Sequence, residues 1–145
     1  MPGSKPHRAC LEYLTTQLRT FGAQVNHQPF LRNLPRLNKS VTMTNIIASF
    51  GLNKDVRVLL CAHWDSRPWA DQDSNIENQN KPVLGANDGA SGVAVLLEVA
   101  RNIQVSDPAF GVDIVLFDGE DAGTPGQTDS YSFGSQYFAK KKDFQ

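Results

Sequence analysis

Val56-Arg57-Val58-Leu59-Leu60-Cys61-Ala62, followed by His63-Trp64-Asp65, and Gly111-Val112-Asp113-Ile114-Val115-Leu116-Phe117, followed by Gly119-Glu120-Asp121, decide the fold. Each is a short run rich in branched apolar residues that stops at a polar cluster, as expected of a buried strand. The second run is nearly continuously apolar after its start, the pattern of a parallel strand covered on both faces. Between them, Val93 to Gln104 places apolar residues at 93, 96, 97, 100 and 103, the spacing that lines one helix face. That helix is opened by Asp88-Gly89-Ala90-Ser91-Gly92. Strand, helix and strand form one βαβ unit, whose crossover is right-handed in nearly all cases and whose strands run parallel.

The topology brings three acidic points to one sheet edge: His63-Trp64-Asp65, Asn87-Asp88-Gly89 and Gly119-Glu120-Asp121. In open α/β sheets the ligand crevice lies outside the carboxyl ends of the strands. Each point also has an ordinary structural reading. Asp88 suits an N-cap, Glu120-Asp121 suits a turn after a strand, and His63 with Asp65 suits a hydrogen-bonded pair. Three carboxylate-bearing points at one edge would repel one another unless a positive charge sits among them, and a divalent metal would supply it. A catalytic zinc usually has three protein ligands and one open position. Glu120 and Asp121, as neighbours in an extended segment, point to different sides, so one can bind metal while the other handles protons. Trp64 and Trp69 suit either core packing or a hydrophobic wall for a substrate.

Working outward, residues 7–21 place Leu11, Leu14, Leu18 and Phe21 on one face with Gly22 beyond, an amphipathic helix with a stop signal. Residues 24–31, with Pro29, read as an edge strand, 33–40 as a turn or short loop, and 41–50 as a strand. Residues 51–55 read as a tight connection that makes a hairpin with the strand at 56. The polar stretch from Ser66 to Val83 is long for a structureless segment and should lie over the site. A second polar loop follows at 122–132, and Gly134 to Lys142 reads as a final helix.

The 145 residues suit one domain, with 40% apolar and 20% charged residues. A net charge of −1 and a pI near 6.3 give no electrostatic reason to expect nucleic acid or an anionic membrane. No apolar stretch approaches the length of a membrane span, and the N-terminus lacks the pattern of a signal peptide. Cys10 in a helix and Cys61 in a strand read as two buried free thiols.

With these residues in place, the sequence resembles the M28 zinc peptidase family, and within it the bacterial glutaminyl-peptide cyclotransferases. The likeness rests on Ala62-His63-Trp64-Asp65-Ser66-Arg67-Pro68-Trp69-Ala70-Asp71, residues 84–93 around Asn87-Asp88-Gly89, Phe117-Asp118-Gly119-Glu120-Asp121, and residues 134–139. It implies an α/β fold with a mixed, mainly parallel sheet flanked by helices, as in the zinc aminopeptidases. It also implies that Asp88 and Asp121 are zinc ligands and that Glu120 is the general acid/base. In the family's dinuclear aminopeptidases the histidine at the place of His63 binds a second metal, oriented by the aspartate at Asp65. The cyclotransferases carry one zinc and do not use that histidine, and the Ser66–Asp71 continuation resembles their version.

The family's remaining zinc ligand is a histidine in the second half of the domain, and this sequence has only His7, His27 and His63. Residues 1–145 are therefore expected to be the N-terminal portion of an M28-type catalytic domain, with an exposed sheet edge. The resemblance implies zinc-dependent cyclisation of an N-terminal glutamine, on a peptide or protein, to pyroglutamate with loss of ammonia. The alternatives are a metalloaminopeptidase with two metals, and an inactive fragment or peptide-binding fold. The resemblance also implies a periplasmic or secreted protein.

Overall fold

The computed structural model describes residues 1–141. Its elements are α1 (Lys5–Thr20), β1 (Gln24–Leu34), β2 (Lys39–Phe50), β3 (Arg57–His63), α2 (Ala90–Ser106), β4 (Gly111–Phe117) and α3 (Phe133–Lys141). The four strands form one mixed sheet in the order β1-β2-β4-β3. β3 and β4 pair in parallel with α2 as their crossover, as the βαβ pattern predicts, while β1–β2 and β2–β4 are antiparallel. The expected end of the last helix at Lys142 lies outside the described residues.

Alternation along β2 sorts its side chains to two faces. Ile46, Ala48 and Phe50 join Leu14 and Leu18 of α1, Val93, Leu96 and Ala100 of α2, and Val112, Ile114 and Leu116 of β4 in one cluster. Val41 and Met43 join Phe30 and Leu34 of β1 in a second cluster, against which Phe133 and Tyr137 of α3 pack. Fully burying an Ile or Leu side chain contributes roughly 1.5–3 kcal/mol, so these two clusters hold the sheet between its helices. α1 starts where Ser4 accepts the His7 N–H at 3.2 Å, and Pro6 stands in the first turn, where a helix needs no N–H.

Two expectations about the strands are corrected. The predicted hairpin between residues 41–50 and the strand at 56 does not form, because β4 lies between β2 and β3. The hairpin is instead β1–β2, paired from Gln24↔Ser49 to Leu34↔Lys39 and joined by a 3-10 turn at Pro35–Leu37. The 51–56 connection crosses the start of β4, where Gly111 N–H donates to Val56 O at 2.8 Å. Second, β3 is not a buried strand. It is the sheet edge among the described residues, with Val58 39% and Leu59 51% exposed, because it pairs on one side only. Composition alone does not distinguish a run covered on both sides from one with an open edge.

β4, at the centre, is buried along nearly its whole length. Its Asp113 is bound by Arg57 Nε at 2.7 Å and Ser49 Oγ at 2.6 Å, which ties three strands together. Burial pushes the Asp113 carboxyl up, but those donors outweigh it and hold it below the usual range. Cys10 and Cys61 are free, as expected, but neither is fully buried, and Cys61 is exposed on the edge strand.

Candidate active site

The parallel ladder places His63 at the end of β3 beside Phe117 at the end of β4, and Trp64 N–H extends it with a bond to Phe117 O at 2.9 Å. Both chains then turn. Asp65 dips under the second turn with its side chain wholly buried. Its Oδ1 accepts the Glu120 N–H at 2.9 Å and its Oδ2 the Asp121 N–H at 3.2 Å. The turn itself needs Gly119, whose φ is +71° and where a Cβ would collide with Met43 Sδ.

Behind this turn Asp118 is fully buried, with Oδ1 2.9 Å from His7 Nε2 and Oδ2 accepting the Thr44 N–H at 2.7 Å. Burial pushes its carboxyl above the usual range, and His7 and the Thr44 amide act against that. Asn45, also fully buried, accepts the Asp118 N–H at 3.0 Å and donates to Gly134 O at 2.9 Å, which connects the start of α3 to the same turn.

The third acidic point arrives from the N-terminus of α2. Asp88 does not cap that helix: Gly89 is the N-cap residue and makes no side-chain cap bond. The Asp88 carboxylate is 2.8 Å from His63 Nε2 instead. His63 lies directly against Gly89, where a Cβ would sit 2.5 Å from His63 O and 2.6 Å from Nε2, so only glycine admits this approach. His63 Nδ1 is 3.5 Å from Asp65 Oδ1. Asp65 is the largest cause that pushes the imidazole up to about 9, against the opposing effect of burial, and Asp88 and Glu120 add to it.

Asp121 is held by Arg67, whose Nη1 donates to Asp121 O at 3.0 Å and to Oδ1 at 3.1 Å. The same guanidinium grips both oxygens of Asp71 at 2.8 Å, which fastens the 66–83 loop to the site. Burial pushes the Asp121 carboxyl up. Arg67 pulls it down, and Asp88 and Asp65 push it further up. Asp121 thus feels both neighbouring carboxylates. The 66–83 loop is built from turns around Asp73, which accepts from Asn75 N and Asn78 Nδ2 at 2.8 and 3.3 Å.

Glu120 is half-buried, and its Oε1 accepts the Ser132 hydroxyl at 3.1 Å. His63, Asp65, Asp88, Glu120 and Asp121 are thus brought to one sheet edge. Trp64 and Trp69 are packed as interior residues, 8% and 4% exposed. Trp64 stacks on His7 at 4.3 Å and donates to Thr44 O, and Arg36 covers the Trp69 ring at 4.5 Å.

The positive charge that the sequence reading assigned to a metal is supplied in part by Arg67, 3.1 Å from Asp121 Oδ1. The donor chemistry of Asp88 and Asp121 suits zinc, and the two carboxylates are close enough for one to raise the other. Their number falls short: among the described residues no group of three His, Cys, Asp or Glu side chains could hold a metal ion. Arg67 and Ser132 were not singled out in the sequence. Arg67 had a signal, a basic residue four before Asp71 in one loop, whereas nothing local marks Ser132 as a partner of Glu120.

The family description of peptidase family M28 matches residues 45–145. Among solved structures, a glutaminyl cyclase from Tannerella forsythia is 44% identical, with a TM-score of 0.91 over 96% of this chain and 49% of its own. A Zn-dependent exopeptidase from Parabacteroides distasonis is 41% identical, with a TM-score of 0.93 over 99% of this chain and 50% of its own. The bovine glutaminyl-peptide cyclotransferase is 26% identical over 97% of this chain and 40% of its own length. The chain therefore spans about half the length of the solved chains and less of the bovine protein.

Proposed function

The chain belongs to peptidase family M28, and from that premise we propose that it is the N-terminal half of a catalytic domain that cyclises an N-terminal glutamine to pyroglutamate and releases ammonia. The observation that carries this reading is the 44% identity, over 96% of the chain, with a glutaminyl cyclase of the same fold. The substrate is the N-terminus of a peptide or protein, and the working location is outside the cytoplasm. No helix among the described residues is long and apolar enough to cross a membrane.

Asp88 and Asp121 are the residues here that would hold one zinc ion, with a further ligand from outside these 145 residues. When bound, zinc supplies Lewis-acid polarisation of the γ-amide carbonyl. Glu120 accepts a proton from the substrate's α-amine as its nitrogen attacks the carbonyl carbon of the γ-amide, and returns it to the departing ammonia. Asp65 and Gly119 fix where that carboxylate stands, through the Glu120 N–H and the turn that presents it. Arg67 holds Asp121 in place and joins it to the 66–83 loop.

The role of Glu120 is tested by Glu120→Gln in the zinc-loaded protein that carries the rest of the domain. Ammonia release should vanish while zinc content stays at that of the unsubstituted protein. Loss of zinc together with turnover would overturn the division of labour between Glu120 and Asp121.

A second reading has its own support. His63 Nε2 is 2.8 Å from Asp88, so a second metal at His63 is open to a metalloaminopeptidase, and one relative is a Zn-dependent exopeptidase. In that case Glu120 would take its proton from water, and free N-terminal amino acid would be the product.

A further inference from the structure

We propose that Ser132 is a positioning residue for the Glu120 carboxylate, an inference that rests on the proposed role of Glu120 as acid/base. Glu120 is held from three sides. Asp65 accepts its N–H at 2.9 Å, the Ser132 N–H donates to its carbonyl at 2.9 Å, and the Ser132 hydroxyl donates to its Oε1 at 3.1 Å. The first two bonds fix the backbone, and the third fixes the rotation of the carboxylate. It is the one hydrogen bond to that carboxylate among the described residues.

A serine just before a helix ordinarily has extended backbone and turns its hydroxyl oxygen toward the first-turn N–H groups. Ser132 immediately precedes α3 but has φ +55°, and its hydroxyl is directed at Glu120 instead. Its own carbonyl is gripped by Gln136 N–H at 3.0 Å and by the Ser135 hydroxyl at 3.1 Å, so it is anchored to the helix rather than to a free loop. The neighbouring bond from Phe133 N–H to Gly119 O at 3.1 Å holds the start of α3 against the Glu120 turn. With Oε1 occupied by this donor, Oε2 is the oxygen left to exchange the proton with the substrate amine.

The test compares Ser132→Ala and Ser132→Gly in the zinc-loaded protein that carries the rest of the domain, with ammonia release from a Gln-initiated peptide as the readout. Both remove the hydroxyl, but only glycine relieves the left-handed backbone. A hydrogen bond to a charged group that acts at the reacting centre predicts a fall in kcat of about tenfold or more in both variants. KM and zinc content should stay unchanged, with melting temperatures near that of the unsubstituted protein. Two results would overturn the proposal: kcat within twofold of the unsubstituted protein in both variants, or a loss in the alanine variant that glycine restores, which would assign the effect to the backbone. An unsubstituted protein that binds zinc but releases no ammonia would instead refute the cyclotransferase reading, and the role of Ser132 with it.

Discussion

Asp65 Oδ1 accepts the backbone N–H of Glu120 at 2.9 Å, and its other oxygen takes the next amide, that of Asp121, at 3.2 Å. One buried carboxylate at the end of β3 thus holds the turn at the end of β4 that carries the proposed acid/base and a proposed zinc ligand. Replacing Asp65 by Asn keeps the shape but turns an N–H₂ toward one of those amides. An unsatisfied buried donor costs about 1–3 kcal/mol, so urea unfolding should show a loss of that order. Turnover should fall more than stability accounts for, because the turn itself is displaced.

Arg67 is a second tie of this kind, and its two-pronged grip on Asp71 together with its bonds to Asp121 needs a planar guanidinium. Arg67→Lys should therefore lose most of the linkage. Removing one side of a largely buried ion pair costs about 3–5 kcal/mol, and Lys, which keeps the charge, should cost less than that. The 66–83 loop should become sensitive to limited proteolysis before the rest of the domain. A loop as resistant as in the unsubstituted protein would remove Arg67 from this role.

Metal dependence separates the two enzymatic readings. Asp88→Asn and Asp121→Asn should each abolish stoichiometric zinc, measured by atomic absorption on the protein with the rest of its domain. His63→Gln should leave one zinc and the ammonia-releasing activity in place. A fall from two zinc ions to one on that change would point to the dinuclear aminopeptidase.

Acid–base linkage at His63 gives a prediction for the metal-free protein. Its imidazole is pushed from the ordinary 6.5 up to about 9, chiefly by Asp65. A group raised in the folded state stabilises fully below its unfolded pKa and loses that contribution as pH rises through its folded value. Chelated protein should thus lose stability between pH about 6.5 and 9, with a slope that approaches 1.4 kcal/mol per pH unit for one proton. Chemical unfolding across that window, repeated with His63→Gln, should show the slope disappear.

Much of this arrangement is legible locally. The βαβ unit, the shared edge of the three acidic points and α1 all follow from runs and periodicities within about 20 residues. What the sequence hides depends on strand order. β4 inserts between β2 and β3, so the expected hairpin at 51–56 is a crossing, and β3 has an exposed edge despite its apolar composition. At the site, Asp88 reads locally as a helix cap, and only the approach of His63 across the sheet edge shows another partner. The pairing of His7 with Asp118 joins residues 111 positions apart, and Ser132 reaches Glu120 because α3 starts against the same turn. No short-range pattern encodes either.

The proposed activity is tested most directly by product analysis. The zinc-loaded protein with the remainder of its domain is incubated with one peptide that begins in Gln and another that begins in Leu, with and without a chelator. The cyclotransferase reading predicts chelator-sensitive ammonia from the Gln peptide and no free amino acid from either. Free leucine without ammonia would contradict it and establish the aminopeptidase.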